Sequence, residues 1–114
     1  MGPMNVSTAG GFRSITPSQL ATLVPRPRII DVREPHEFVG ELGHVPGAEL
    51  VPLATILAAA RAWDKEERLV LTCRSGARSA QAASSLVALG FENLMNLTGG
   101  MLAYVDAGFP VERR

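Results

Sequence analysis

Cys73 is the sole cysteine of the chain. It stands in Thr72–Ser79, TCRSGARS, with Arg74 and Arg78 close behind it. An apolar β-like run, Arg68–Thr72 (RLVLT), leads in, and a helical run, Ser79–Gly90 (SAQAASSLVALG), leads out. The pattern predicts a thiol at a strand end, on a tight loop, below the start of a helix. A helix N-terminus presents unpaired N–H groups and a partial positive charge, which favour an anion beside it. Arg74 and Arg78 add two full positive charges. A cysteine so surrounded is expected to ionise more readily than a free thiol, and thiolate is the nucleophilic form. Gly76 lets the backbone curl where a side chain would obstruct it. A lone cysteine is more often a small buried apolar residue. Here the neighbours argue otherwise, because a core position has no call for two arginines and a glycine directly after it.

The elements that must hold this loop follow from the rest of the chain. At 114 residues it is the length of one domain. Residues 1–11 read as a small, polar leader without a secretory signal, and 12–114 as the domain. The formal net charge is zero, which leaves no electrostatic footprint for nucleic acid or an anionic membrane. No apolar run approaches a membrane span. A single cysteine makes no internal disulfide, so a reducing, cytoplasmic setting is the expectation. The two histidines and one cysteine have no metal-site spacing, and neither metal nor cofactor is expected.

Phe12–Ile15 reads as a short edge strand. Thr16, Pro17 and Gln19 form a helix start with a capping box, and Leu20, Leu23 and Val24 give that helix an apolar face. Arg28–Arg33 (RIIDVR) reads as a buried strand ending in charge. Asp31 is costly there unless paired. It is expected to support the site by pairing with the loop, through Arg78, or else to pair with Arg33 or cap the next helix. Glu34–Glu41 predicts a short helix with Phe38 buried and His36 solvated. His44, in a Gly/Pro-rich turn, is expected to hydrogen-bond locally. Gly47–Val51 predicts a strand and Leu53–Trp63 a helix, with Trp63 as packing and 64–68 as a solvated charge run. Leu94–Leu97 (LMNL) predicts a strand. Gly99–Gly100 opens a last helix, with Met101, Leu102 and Val105 facing inward. Alternating strands and helices predict an α/β domain with a parallel sheet covered on both faces.

CRSGARS resembles the active-site loop of the rhodanese family of sulfurtransferases. Ile30–Phe38 (IDVREPHEF), Gly43–Leu53 (GHVPGAELVPL) and Leu97–Ala103 (LTGGMLA) resemble further family segments in the expected order. The similarity runs from about Ile15 to Pro110. It implies a three-layer α/β/α domain with a five-stranded, mostly parallel sheet. It also implies a two-step sulfur transfer through a persulfide on Cys73, the catalytic residue, with Arg74, Ser75, Gly76, Ala77, Arg78 and Ser79 as the substrate-binding loop. Asp31 and Arg33 would support it.

The implied partners are a small-molecule sulfur donor, thiosulfate favoured, and a thiophilic acceptor such as cyanide, a thiol or a protein. The family's thiosulfate-type loops often place a lysine where this chain has Ser75. Four residues separate Cys73 from Arg78. The related cysteine-dependent phosphatases carry one more, and usually a histidine where this chain has Thr72, so phosphatase activity ranks last. The principal alternative is a persulfide carrier that delivers sulfur to a partner protein. A non-catalytic interaction domain ranks lower, because the cysteine is present.

Overall fold

A computed structural model describes residues 11–114. The leader expected over 1–11 lies, apart from Gly11, outside them. The order is β1 (Arg13–Ile15), α1 (Pro17–Thr22), β2 (Arg28–Asp31), α2 (Pro35–Phe38), β3 (Glu49–Leu50), a 3-10 turn (Leu53–Thr55), α3 (Ile56–Ala60), β4 (Leu69–Thr72), α4 (Ala77–Ala88), β5 (Leu94–Leu97) and α5 (Gly100–Asp106). The five strands form one sheet in the order β1-β5-β4-β2-β3, and every pairing is parallel. This is the α/β class that the alternation predicts, and the strand number is the one the resemblance implies.

Side chains alternate across a strand, so each apolar run feeds two layers. In β4, Leu69 and Leu71 pack with Ala82, Ala83 and Leu86 of α4, and with Ile56 and Ala60 of α3. Val70 points the other way, to Leu20 of α1 and to Met101 and Tyr104 of α5. Cys73, two residues beyond Leu71, belongs to the α4 side. The central strand is thus buried on both faces and ends beneath the N-terminus of α4. Sites in open α/β sheets lie at such carboxyl edges.

The start of α1 has both halves of the capping box, Gln19 N donating to Thr16 Oγ1 at 3.1 Å and Thr16 N to Gln19 Oε1 at 2.8 Å. Several expected elements are shorter. The strand expected over 47–51 is two residues long, because β2 offers it a register only at Ile30 and Asp31. The helix expected over 53–63 opens as a 3-10 turn and ends at Ala60. Val51 N and Leu53 N donate to Asp31 O and Val32 O, each at 2.9 Å, which ties the start of this segment to β2. Leu57 is exposed, and so is Val24, beyond the end of α1. In α5 the inward residues are Met101 and Tyr104, while Leu102 and Val105 face out. Phe38 is half-buried and stacks on His44. His44 Nδ1 donates to Phe38 O at 2.8 Å, the local role expected of it. Trp63 packs edge-on against Phe91 and under the Arg28 guanidinium. No described helix is long and apolar enough to cross a membrane.

Candidate active site

β4 ends at Thr72, and the chain turns at once. Gly76 adopts φ +106° at the N-cap of α4, a conformation that favours glycine. This turn directs the first amides of α4 back at the thiol. Cys73 Sγ receives Gly76 N at 3.1 Å, Ser79 N at 3.4 Å and the Ser79 hydroxyl at 3.3 Å. Cys73 is 1% exposed, so these donors are its principal solvation. Burial is the largest single influence on the thiol and pushes its pKa up. The Ser79 hydroxyl and the amides of Ser79, Gly76 and Ser75 together outweigh it, and the net direction is down. The site therefore favours a sulfur-centred anion.

The carbonyls of the same loop point away. Met101 N donates to Cys73 O at 2.8 Å and Leu102 N to Arg74 O at 3.0 Å. Gly100 permits that approach, since a Cβ there would lie 2.6 Å from Arg74 O. One helix start supplies donors to the sulfur, and the next absorbs the loop's acceptors.

The arginines are held differently from each other. Arg78 makes a two-pronged ion pair with Glu37 of α2, both contacts at 2.8 Å. Arg78 holds the Glu37 carboxyl down at about 2, with help from Glu34 N and against burial. Asp31 does not reach Arg78. Its partner is Arg33, with Nε to Oδ1 at 2.9 Å and Nη2 to Oδ2 at 2.8 Å. Both side chains are essentially without exposure. Arg33 lies just past the end of β2, where its own N–H also donates to Asp31 Oδ1 at 3.1 Å, and Arg78 is engaged by Glu37. Arg33 also donates to Gly43 O at 2.7 Å, tying the end of β2 to the turn that holds His44.

Arg74 is exposed and has no ion-pair partner among the described residues. It lines a cleft of about 240 Å³ between the loop and α2, with His36, Glu37 and Glu41 on the other wall. Ser75 and Ala77 are exposed on the outer side of the loop. Among the described residues, no group of three or more His, Cys, Asp or Glu side chains is arranged to hold a metal ion.

Two residues of this arrangement were not singled out by spacing. Glu37 sits in a short helix for which the sequence assigns surroundings only to Phe38 and His36. Asn96 of β5 is buried; its Oδ1 accepts from Ser79 Oγ at 2.5 Å and its Nδ2 donates to Gly76 O at 3.2 Å. A signal for Asn96 existed: an amide inside LMNL is costly unless partnered.

A family model for the rhodanese-like domain matches residues 16–107. A sulfurtransferase of Allochromatium vinosum is 35% identical over 83 residues, covering 73% of this chain and 76% of that protein. Thiosulfate sulfurtransferase 18 of Arabidopsis thaliana is 32% identical over 113 residues, covering 86% of this chain and 82% of that protein. The uncharacterized protein slr1261 of Synechocystis is 39% identical over 82 residues, 72% of this chain, and the match spans 45% of that protein's length. The solved structure of a rhodanese-related protein from Thermoplasma volcanium superposes with a TM-score of 0.81 at 25% identity, covering 90% of this chain and all of that one.

Proposed function

The chain belongs to the rhodanese-like domain family, and from that premise we propose that it is a sulfurtransferase that carries a sulfane sulfur on Cys73, with thiosulfate as the favoured donor. The single observation behind this reading is the convergence of Gly76 N, Ser79 N and the Ser79 hydroxyl on Cys73 Sγ. In the first step the Cys73 thiolate attacks the outer sulfur of thiosulfate. The sulfur–sulfur bond of the donor breaks, and sulfite leaves with the electron pair. Cys73 is left as a persulfide whose terminal sulfur carries the negative charge. In the second step a nucleophile attacks that terminal sulfur, the bond to Sγ breaks, and the thiolate returns. Cyanide leaves as thiocyanate; an acceptor thiol leaves as its own persulfide. The amides that face the thiolate stabilise charge on the sulfur at the start and end of the cycle.

The donor preference rests on Arg74. Arg78 and Arg33 are neutralised by Glu37 and Asp31, so Arg74 is the loop cation open to an incoming dianion. The short loop fits one sulfur atom, whereas a phosphoryl group calls for a wider cradle. The chain has no second cysteine, so an internal disulfide cannot unload the persulfide and an outside acceptor is required. The same requirement supports a second reading, a carrier that surrenders sulfur to a partner protein.

Incubation with thiosulfate should add the mass of one sulfur atom to the wild-type protein and none to Cys73→Ser. That variant should also lose thiosulfate:cyanide transfer while keeping its circular dichroism spectrum. Turnover in Cys73→Ser would overturn the reading. A protein that loads but turns over slowly with small acceptors would move it to the carrier.

A further inference from the structure

The Ser79 hydroxyl has one proton and three acceptors in reach; Gly76 O, at 3.3 Å, is already supplied by Ala80 N at 3.1 Å and Asn96 Nδ2 at 3.2 Å, which leaves two in competition. Asn96 Oδ1 lies at 2.5 Å and Cys73 Sγ at 3.3 Å. The Asn96 amide is oriented by its other end: Nδ2 donates to Gly76 O at 3.2 Å, and a reversed amide would set two carbonyl oxygens against each other. Asn96 therefore presents an oxygen to Ser79, which accepts and cannot donate. Both residues are buried, so whichever acceptor loses the proton has no water to replace it.

We propose that the Ser79 hydroxyl is a two-position donor shared between Asn96 Oδ1 and Cys73 Sγ, and that Asn96 sets how much of it the sulfur receives. The inference deepens the sulfur-transfer reading and rests on it. When Sγ carries charge, as free thiolate or as the leaving sulfur of the second step, the hydroxyl turns to it. When Sγ is bonded within a persulfide, the charge has moved to the outer sulfur and the hydroxyl returns to Asn96. No bond is made or broken in the rotation, and the proton stays on Oγ. Asn96 is a positioning residue that acts through Ser79. Its competition keeps the thiolate less stabilised, and so more nucleophilic, than the amides and hydroxyl together would leave it.

The test follows ionisation of the reduced thiol by iodoacetamide alkylation rate against pH, without any sulfur donor, so it fails separately from the sulfur-transfer reading. The surrounding charges are Arg74 on the loop, Arg78 of α4 with Glu37 of α2, and the Asp31–Arg33 pair of β2 and its end. β5 and α5 bring no charged group to the sulfur. None of these is altered by the variants. Ser79→Ala should move the alkylation midpoint up by about one pH unit, the worth of one hydrogen bond to a charged group. Asn96→Leu should move it down, and the double variant should match Ser79→Ala. An upward or absent shift in Asn96→Leu, or a downward shift that persists without Ser79, overturns the proposal. Should Asn96→Leu fail to fold, wild-type protein decides. The ¹⁵N–¹H signals of the Asn96 side-chain amide should titrate with the Cys73 midpoint in wild type and lose that step in Ser79→Ala. Amide signals that ignore the thiol, or keep the step without Ser79, also overturn it.

Discussion

At the residue scale the site is a division of labour among charges. Three arginines surround the loop, but Arg33 and Arg78 each face a carboxylate. Arg74 has no carboxylate partner among the described residues and lines the cleft, so under the proposed function it is the cation that meets the donor. Arg74→Ala should lower kcat/KM for thiosulfate by roughly tenfold, with a smaller loss for an uncharged donor. The difference should shrink as salt is raised, since Arg74 is exposed. Equal kcat/KM in variant and wild type would remove Arg74 from the substrate role. The clustering of Cys73, Gly76 and Ser79 was legible because they are contiguous and their types name a chemistry, whereas Arg78, expected to serve the substrate or Asp31, is taken by Glu37. Glu37 and Asn96 were not legible, because their partners lie 41 and 17 residues away in the chain. Of the two partners expected for Asp31, its chain neighbour Arg33 is the one it meets, through a local contact just past the end of β2.

At the scale of elements, α2 is four residues long, and such a helix has little stability of its own. The Glu37–Arg78 pair clamps it to α4. The Glu37 carboxyl is depressed in the folded protein to about 2. Its contribution to stability is therefore present above the ordinary carboxylate pKa and disappears as pH falls through the folded value. The melting temperature of Glu37→Gln should accordingly lie below wild type at neutral pH, and the gap should close as pH approaches about 2. The Arg78 side chain is 36% exposed, so solvent screening holds the effect to about 1 kcal/mol. A gap that persists unchanged into acid would show that the charge is not its source. β4 and β5 were read well because LVLT and LMNL are buried throughout. The helix over 53–63 was over-read because its alanine-rich run favours helix, while the bonds of Val51 and Leu53 to β2 dictate a tighter start. The phase of α5 was misjudged for a similar reason. It is fixed by backbone contact of Gly100 with the loop carbonyls, which apolar spacing does not register.

At the scale of the molecule, a single sheet separates two apolar layers. Trp63, the one tryptophan, packs on the α4 side, and Tyr104, the one tyrosine, on the α5 side. The strands between them are shared, so both layers should melt together. Tryptophan fluorescence and tyrosine near-ultraviolet dichroism should give one midpoint in urea, and Leu71→Ala should lower it for both probes alike, at a cost of about 2–5 kcal/mol. Two separated midpoints would mean that the layers unfold independently. The class of the sheet was legible from alternation; its order was not, because no local pattern says that β1 returns beside β5. The pairing of β5 with β4 brings α5 against the loop, where Met101 N and Leu102 N fasten the Cys73 and Arg74 carbonyls. Neither of these two peptides can flip without tearing its bond to α5. Under the proposed function, gain and loss of a sulfur atom proceed on a loop backbone held in place at both carbonyls.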